Sequence, residues 1–150
     1  MIRAILFIIA FVWTGLATWH DLKKKKIPDS IHIAAAFGGL MISSAISFQA
    51  FLYSLLYGGF FLLVGFLVSV TGGWGGADGK FLGALGTYFH FSPVLFLLSL
   101  LVSTFGFKGY LVATGRDPGK IPREEWLEKG VPFLPAFLAA EVLMAFILLI

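Results

Sequence analysis

Apolar runs too long for a soluble core fill this chain, and charge interrupts them at only a few places. From Ser30 to Ala77 there is no Asp, Glu, Lys or Arg, and those 48 residues as one helix would reach about 72 Å, more than twice a bilayer's hydrocarbon core. The stretch is therefore expected to fold as two spans. The polar break Ser47-Phe48-Gln49 marks the turn, which predicts a second helix from about Ile31 and a third from Ala50 to Val70. Phe81 to Phe107 is again uncharged, and its 27 residues fit either one long tilted helix or two helices folded at Ser92-Pro93. A last span runs from Val131 to Ile150. At the other end, Met1-Ile2-Arg3 and the apolar run to Trp19 are followed by Lys23 to Lys26, with no small-x-small cleavage site before them. This reads as a retained first helix rather than a signal peptide.

The placement of charge decides the count of spans. Short loops rich in Lys and Arg stay on the cytoplasmic side. Six spans with the N-terminus outside put ten of the eleven positive side chains inside, leaving only Arg3 outside. Five spans would strand Lys108, Arg116, Lys120, Arg123 and Lys129 on the wrong face. The expected fold class is thus all-α: a polytopic membrane helix bundle of six transmembrane helices, with residues 1–150 as a single membrane-embedded domain. Helix 4, from Gly79 to about His90, is short for a span and is expected to begin in a protein-lined recess. Ala35 and Gly39 on helix 2, and Gly79, Gly83 and Gly86 on helix 4, offer small residues where helices approach closely. Residues 113–130 form the one sizeable polar piece, expected as a cytoplasmic interfacial loop holding a short helix around Trp126.

Composition agrees with this picture and narrows the chemistry. Of the 150 residues, 59% are hydrophobic and 13% charged, so a water-soluble domain is excluded. The net charge of +3 sits in short clusters rather than on a broad basic face, which argues against nucleic acid as a partner. There is no cysteine, hence no disulfide, thiolate metal site or cysteine nucleophile. His20, His32 and His90 show no ligand spacing, so no metal and no cofactor is assigned.

Three acidic residues stand outside the ordinary loop clusters: Asp21 at the end of helix 1, Asp78 at the start of helix 4, and Glu141 within the last helix. Two membrane crossings separate the loops that carry Asp21 and Asp78, so both lie at the same boundary. Two carboxyl groups sharing one proton supply a base that activates water and an acid that polarises a carbonyl, which is what peptide hydrolysis requires without metal or covalent nucleophile. Thr71-Gly72-Gly73-Trp74-Gly75-Gly76-Ala77 precedes Asp78, and such a backbone lets a substrate strand come close. Plainer readings stay open: Asp21 as part of a solvated loop, Asp78 as a helix N-cap, Lys80 as a side chain reaching lipid phosphates.

Asp21-Leu22-Lys23-Lys24-Lys25-Lys26-Ile27-Pro28-Asp29 resembles the D-x6-P-[ND] segment of type IV prepilin peptidases, membrane aspartyl proteases that trim pilin and archaellin precursors. Gly75-Gly76-Ala77-Asp78-Gly79-Lys80 resembles their G-x-G-D-x-K segment. The resemblance implies that Asp21 and Asp78 are the catalytic pair and that Lys80 stands near the site, with Gly75, Gly76 and Ala77 supporting substrate. Ala77 departs from the pattern, which has Gly there. Larger bacterial members carry a cysteine-zinc insertion and an N-methyltransferase activity, and this chain has no Cys. What the resemblance implies is a minimal peptidase without methylation, in the cytoplasmic membrane, acting on prepilin-like or archaellin-like precursors at the cytoplasmic face. Membrane lipids are its other partners, and the oligomeric state stays open. The competing reading is a small proton-coupled transporter or membrane assembly subunit. Its support is Glu141, which lies near the bilayer midplane and has no place in the two-aspartate scheme.

Overall fold

The computed structural model describes residues 2–24, 27–70, 76–115 and 134–149. They form six α-helices and one short 3₁₀ turn: α1 (Ile2–Lys24), α2 (Asp29–Ile46), α3 (Phe48–Val70), α4 (Gly76–Gly86), the turn Phe89–Phe91, α5 (Pro93–Ala113) and α6 (Leu134–Leu149). No strand occurs among the described residues. Four of the helices, α1, α2, α3 and the Phe96–Ala113 part of α5, are long and apolar enough to cross a membrane. The chain is an all-helical membrane protein. The expected interfacial helix around Trp126, the start of the last span at Val131, and Gly75 lie outside the described residues.

Local chemistry sets the helix boundaries. Pro28 is the N-cap of α2, its carbonyl accepting the Ile31 N–H at 3.0 Å, and Asp29 as the first helical residue puts a carboxylate near the positive end. Ser47 alone separates α2 from α3. Its N–H closes on Ser43 O at 3.2 Å while its Oγ accepts the Ala50 N–H at 3.0 Å, so one side chain ends one helix and caps the next. The turn is therefore tighter than the three-residue break expected from the sequence.

The stretch from Phe81 to Phe107 is resolved as two helices. After Gly86, the Thr87 and Tyr88 N–H groups turn back to Ala84 O and Leu85 O, and the chain restarts at Pro93 as the first residue of α5. The carbonyl of Thr87, freed by this break, accepts the Ser54 hydroxyl from α3 at 2.7 Å. The Tyr88 hydroxyl donates to Ala35 O on α2 at 2.8 Å. In an apolar medium such bonds satisfy backbone groups that water cannot reach, and each contributes about 0.6 kcal/mol to helix association.

Helix α4 is the hub. At 11 residues it is about 16 Å long, roughly half a bilayer core, and it packs against both α2 and α3. It starts at Gly76, three residues before the expected start, which puts Asp78 in its first turn rather than at an N-cap position. The expected small-residue contacts are present. A Cβ on Gly79 would fall 2.7 Å from Gly65 C, one on Gly83 2.7 Å from Leu62 Cβ, and one on Gly86 2.9 Å from Tyr57 O. Gly39 is closed over by Thr87. Farther along the bundle, Phe96 makes ring contacts with Phe61 at 4.2 Å, Phe89 at 4.8 Å and Phe137 at 5.7 Å, which ties α3, the 3₁₀ turn, α5 and α6 together. The outer surface carries Phe37, Leu56, Leu63, Phe66 and Phe105, all exposed, as a face for lipid. Near the end of α1, Lys23 Nζ sits 4.1 Å above the exposed Trp19 ring.

Candidate active site

The two motif segments meet through an ion pair. Lys80 Nζ on α4 donates to Asp29 Oδ1 on α2 at 2.9 Å, across 51 residues of sequence. Asp29 closes the segment that begins at Asp21, and Lys80 closes the one that contains Asp78. The contact therefore sets the first turn of α4 beside the first turn of α2, with the last turn of α1 one short connection away. Both aspartates stand at this end of the bundle.

Their surroundings differ. Asp78 is 8% exposed and has Gly79 behind it, flush against Gly65 of α3. Because Gly79 has no side chain, the α4 backbone sits against α3 and the Asp78 turn is drawn inside the bundle. Asp21 is half-buried on the last turn of α1, and its Oδ2 is shut off from solvent without a hydrogen-bond partner among the described residues. The solvated-loop reading of Asp21 does not describe such a carboxyl. Of the supporting positions, Ala77 is half-buried and packs against the core, Gly76 is exposed, and Gly75 is outside the described residues. Lys80 is also exposed, but its ammonium goes to Asp29, so reaching lipid phosphates is not its role in this arrangement.

Two residues that the sequence reading did not single out belong here. Asp29 lay in the motif but counted as ordinary loop charge; only its spatial partner distinguishes it. His32, one turn further along α2, is 6% exposed and faces Phe81 of α4 with ring centroids 6.0 Å apart. It packs between α2 and α4, within electrostatic reach of both members of the ion pair. A period of three from Asp29 was the one available signal. Among the described residues no group of three or more His, Asp or Glu side chains is arranged to hold a metal ion. The arrangement offers two carboxyl groups, one within the bundle and one at its edge, beside a glycine-paved helix start.

A model of the type IV leader peptidase family matches residues 8–112, which takes in both aspartates and the ion pair between their segments. The chain belongs to that family. No curated protein and no solved structure matches it. The family match ends before α6, so Glu141 lies beyond it. Membership places the chain among peptidases of the membrane and gives the transporter alternative no support.

Proposed function

We propose that this protein is an aspartic endopeptidase that removes short leader peptides from prepilin-like or archaellin-like precursors at the cytoplasmic face of the cell membrane, with Asp21 and Asp78 as its catalytic pair. The observation that carries the reading is the Lys80–Asp29 ion pair, which joins the two aspartate-bearing segments at one end of the bundle. In the reaction, one carboxylate takes a proton from water as the oxygen attacks the scissile carbonyl. The other, protonated, carboxyl donates to the carbonyl oxygen. The tetrahedral adduct then collapses, the C–N bond breaks, and the proton taken from water passes to the leaving amine. Like-charge repulsion between neighbouring carboxylates favours holding a single proton between them. Lys80 acts through Asp29, by holding the Asp78 turn in place, and Gly76 and Ala77 leave room for an extended substrate backbone.

Six spans with the N-terminus outside agree with the charge count and place this end of the bundle in the cytoplasm. At 11 residues α4 is short for a span, so it crosses together with the 3₁₀ turn that follows it, starting in a protein-lined recess behind α2 and α3. Methylation of the product is not part of the activity, and neither metal nor cofactor takes part.

The deciding experiment incubates purified protein with a panel of prepilin-like precursors and reads the products by mass. Cleavage at one bond with the gain of one water is expected. It should be lost in both Asp21→Asn and Asp78→Asn and unaffected by chelators. Intact precursor across the panel, or zinc-restorable loss on chelation, would overturn the reading. Single cysteines at Lys25 and Arg123 should be labelled only from the cytoplasmic side and one at His90 only from outside; outside labelling at Arg123 restores five spans.

A further inference from the structure

The mechanism leaves the buried carboxyl of Glu141 without a task. Glu141 is 0% exposed on α6, and neither of its oxygens has a hydrogen-bond partner among the described residues. A carboxyl in apolar surroundings needs polar company, and Glu141 lies where α6 packs on α1. Thr14 is near enough there to act on the carboxyl, though no hydrogen bond between the two has good geometry. The Thr14 hydroxyl, however, gives its proton to Ala10 O at 3.0 Å.

The same face of α1 continues in polar steps toward the candidate site. Thr14, Thr18 and Asp21 are spaced four and three residues apart, which aligns them along one side of the helix. Thr14 and Thr18 are buried, and Thr18 Oγ1, like Asp21 Oδ2, is closed to solvent and has no partner among the described residues. A rise of about 1.5 Å per residue separates Thr14 from Thr18 by about 6 Å along the axis, and Thr18 from Asp21 by about 4.5 Å. These gaps are too wide for direct hydrogen bonds. One water molecule, bonded at about 2.8 Å on each side, bridges groups up to about 5.6 Å apart. Along the axis the Thr18–Asp21 step is within the reach of one water and the Thr14–Thr18 step is slightly beyond it, and buried water settles beside polar groups that lack other partners.

We propose that Thr14, Thr18 and Glu141 hold a short file of buried water in the seam between α1 and α6, ending on Asp21 Oδ2. The water-binding site stands on the ladder alone. Its use, hydrating the catalytic carboxyl from inside the bundle, rests on the peptidase reading above. Glu141 is then a positioning residue: it holds the far end of the file and does not touch substrate.

X-ray radiolytic hydroxyl labelling of the purified full-length protein, read by mass spectrometry, tests this, because radicals formed from ordered buried water mark adjacent side chains. Phe137, one turn before Glu141 and 0% exposed, should be labelled roughly fivefold or more above Phe61, which is 2% exposed on α3. Thr18→Val and Glu141→Leu should each bring Phe137 down to the level of Phe61 and lower kcat about tenfold with KM unchanged. Glu141→Gln, which keeps hydrogen-bonding atoms, should restore both toward wild type. Equal labelling of Phe137 and Phe61 in the wild-type protein means a dry seam and overturns the proposal, whether or not any variant folds. Labelling that persists in both Thr18→Val and Glu141→Leu overturns it too. Wild-type cleavage by Asp21→Asn would instead strike down the peptidase site and leave the water file, read from labelling, standing.

Discussion

Helices α3 and α4 lie against each other yet are built on opposite terms. Helix α3 is 23 residues long and predominantly apolar, and it buries only Ser54, Gly58, Phe61 and Gly65, one thin stripe. Helix α4 has 11 residues, four of them Gly, and buries eight, including Asp78. In water the more apolar helix would be the inner one. In lipid the order reverses, since the bilayer accepts apolar side chains as readily as the protein does and close packing decides what goes inside. Small residues buy α4 its central place, and that place shelters an acid on its first turn.

The most severe way to sharpen this contrast is to neutralise the acid. Asp78→Asn should cut cleavage by about 10³-fold or more, in line with general acid–base contributions, while far-UV circular dichroism and thermal unfolding in detergent stay near wild type. Residual turnover near normal would leave α4 as scaffold only. Gly65→Val attacks the packing instead. A Cβ there would fall 2.5 Å from Gly79 Cα, so the backbones must part, at a cost of about 1–3 kcal/mol in equilibrium unfolding and with cleavage falling alongside. An unchanged unfolding curve would show that the α3–α4 contact is loose.

The ion pair comes next. Lys80→Ala and Asp29→Asn should each cost at most about 1 kcal/mol of stability, as exposed pairs do, yet lower kcat several-fold, with Lys80→Arg close to wild type. A kcat unchanged in both would make the pair a surface ornament. Smallest of all, Leu56→Ala on the outer face of α3 should shift unfolding by no more than about 0.5 kcal/mol and leave cleavage untouched.

Much of the fold was legible because the signals were local. Ser47 and Ser92-Pro93 announced the breaks, and the glycines of α4 announced close contact. Their partners on α3, Gly58 and Gly65, did not stand out, because a glycine in an apolar helix gives no hint of which neighbour it meets. Asp21, Asp78 and Lys80 were marked by motif. The bond from Lys80 to Asp29 was not, since 51 residues separate the two and nothing in either segment names the other. The polar ladder was partly visible: Glu141 stood out as a charge in an apolar run, but Thr14 and Thr18 looked like any threonines until their burial was known.

The stacked pair at the end of α1 sets a height. Trp19 and Lys23 are both exposed, with the ammonium over the ring, and Asp21 lies midway between them in sequence. Indole rings settle at the headgroup level and lysines reach for phosphate, so together they moor this turn to the membrane surface. On the proposed function the bilayer would then serve as a ruler: a precursor whose own helix is seated in the same lipid would present its backbone to Asp21 at a level fixed by how far along that helix the apolar stretch begins. Distance from the membrane plane becomes a coordinate that the site can read without touching the residues being counted.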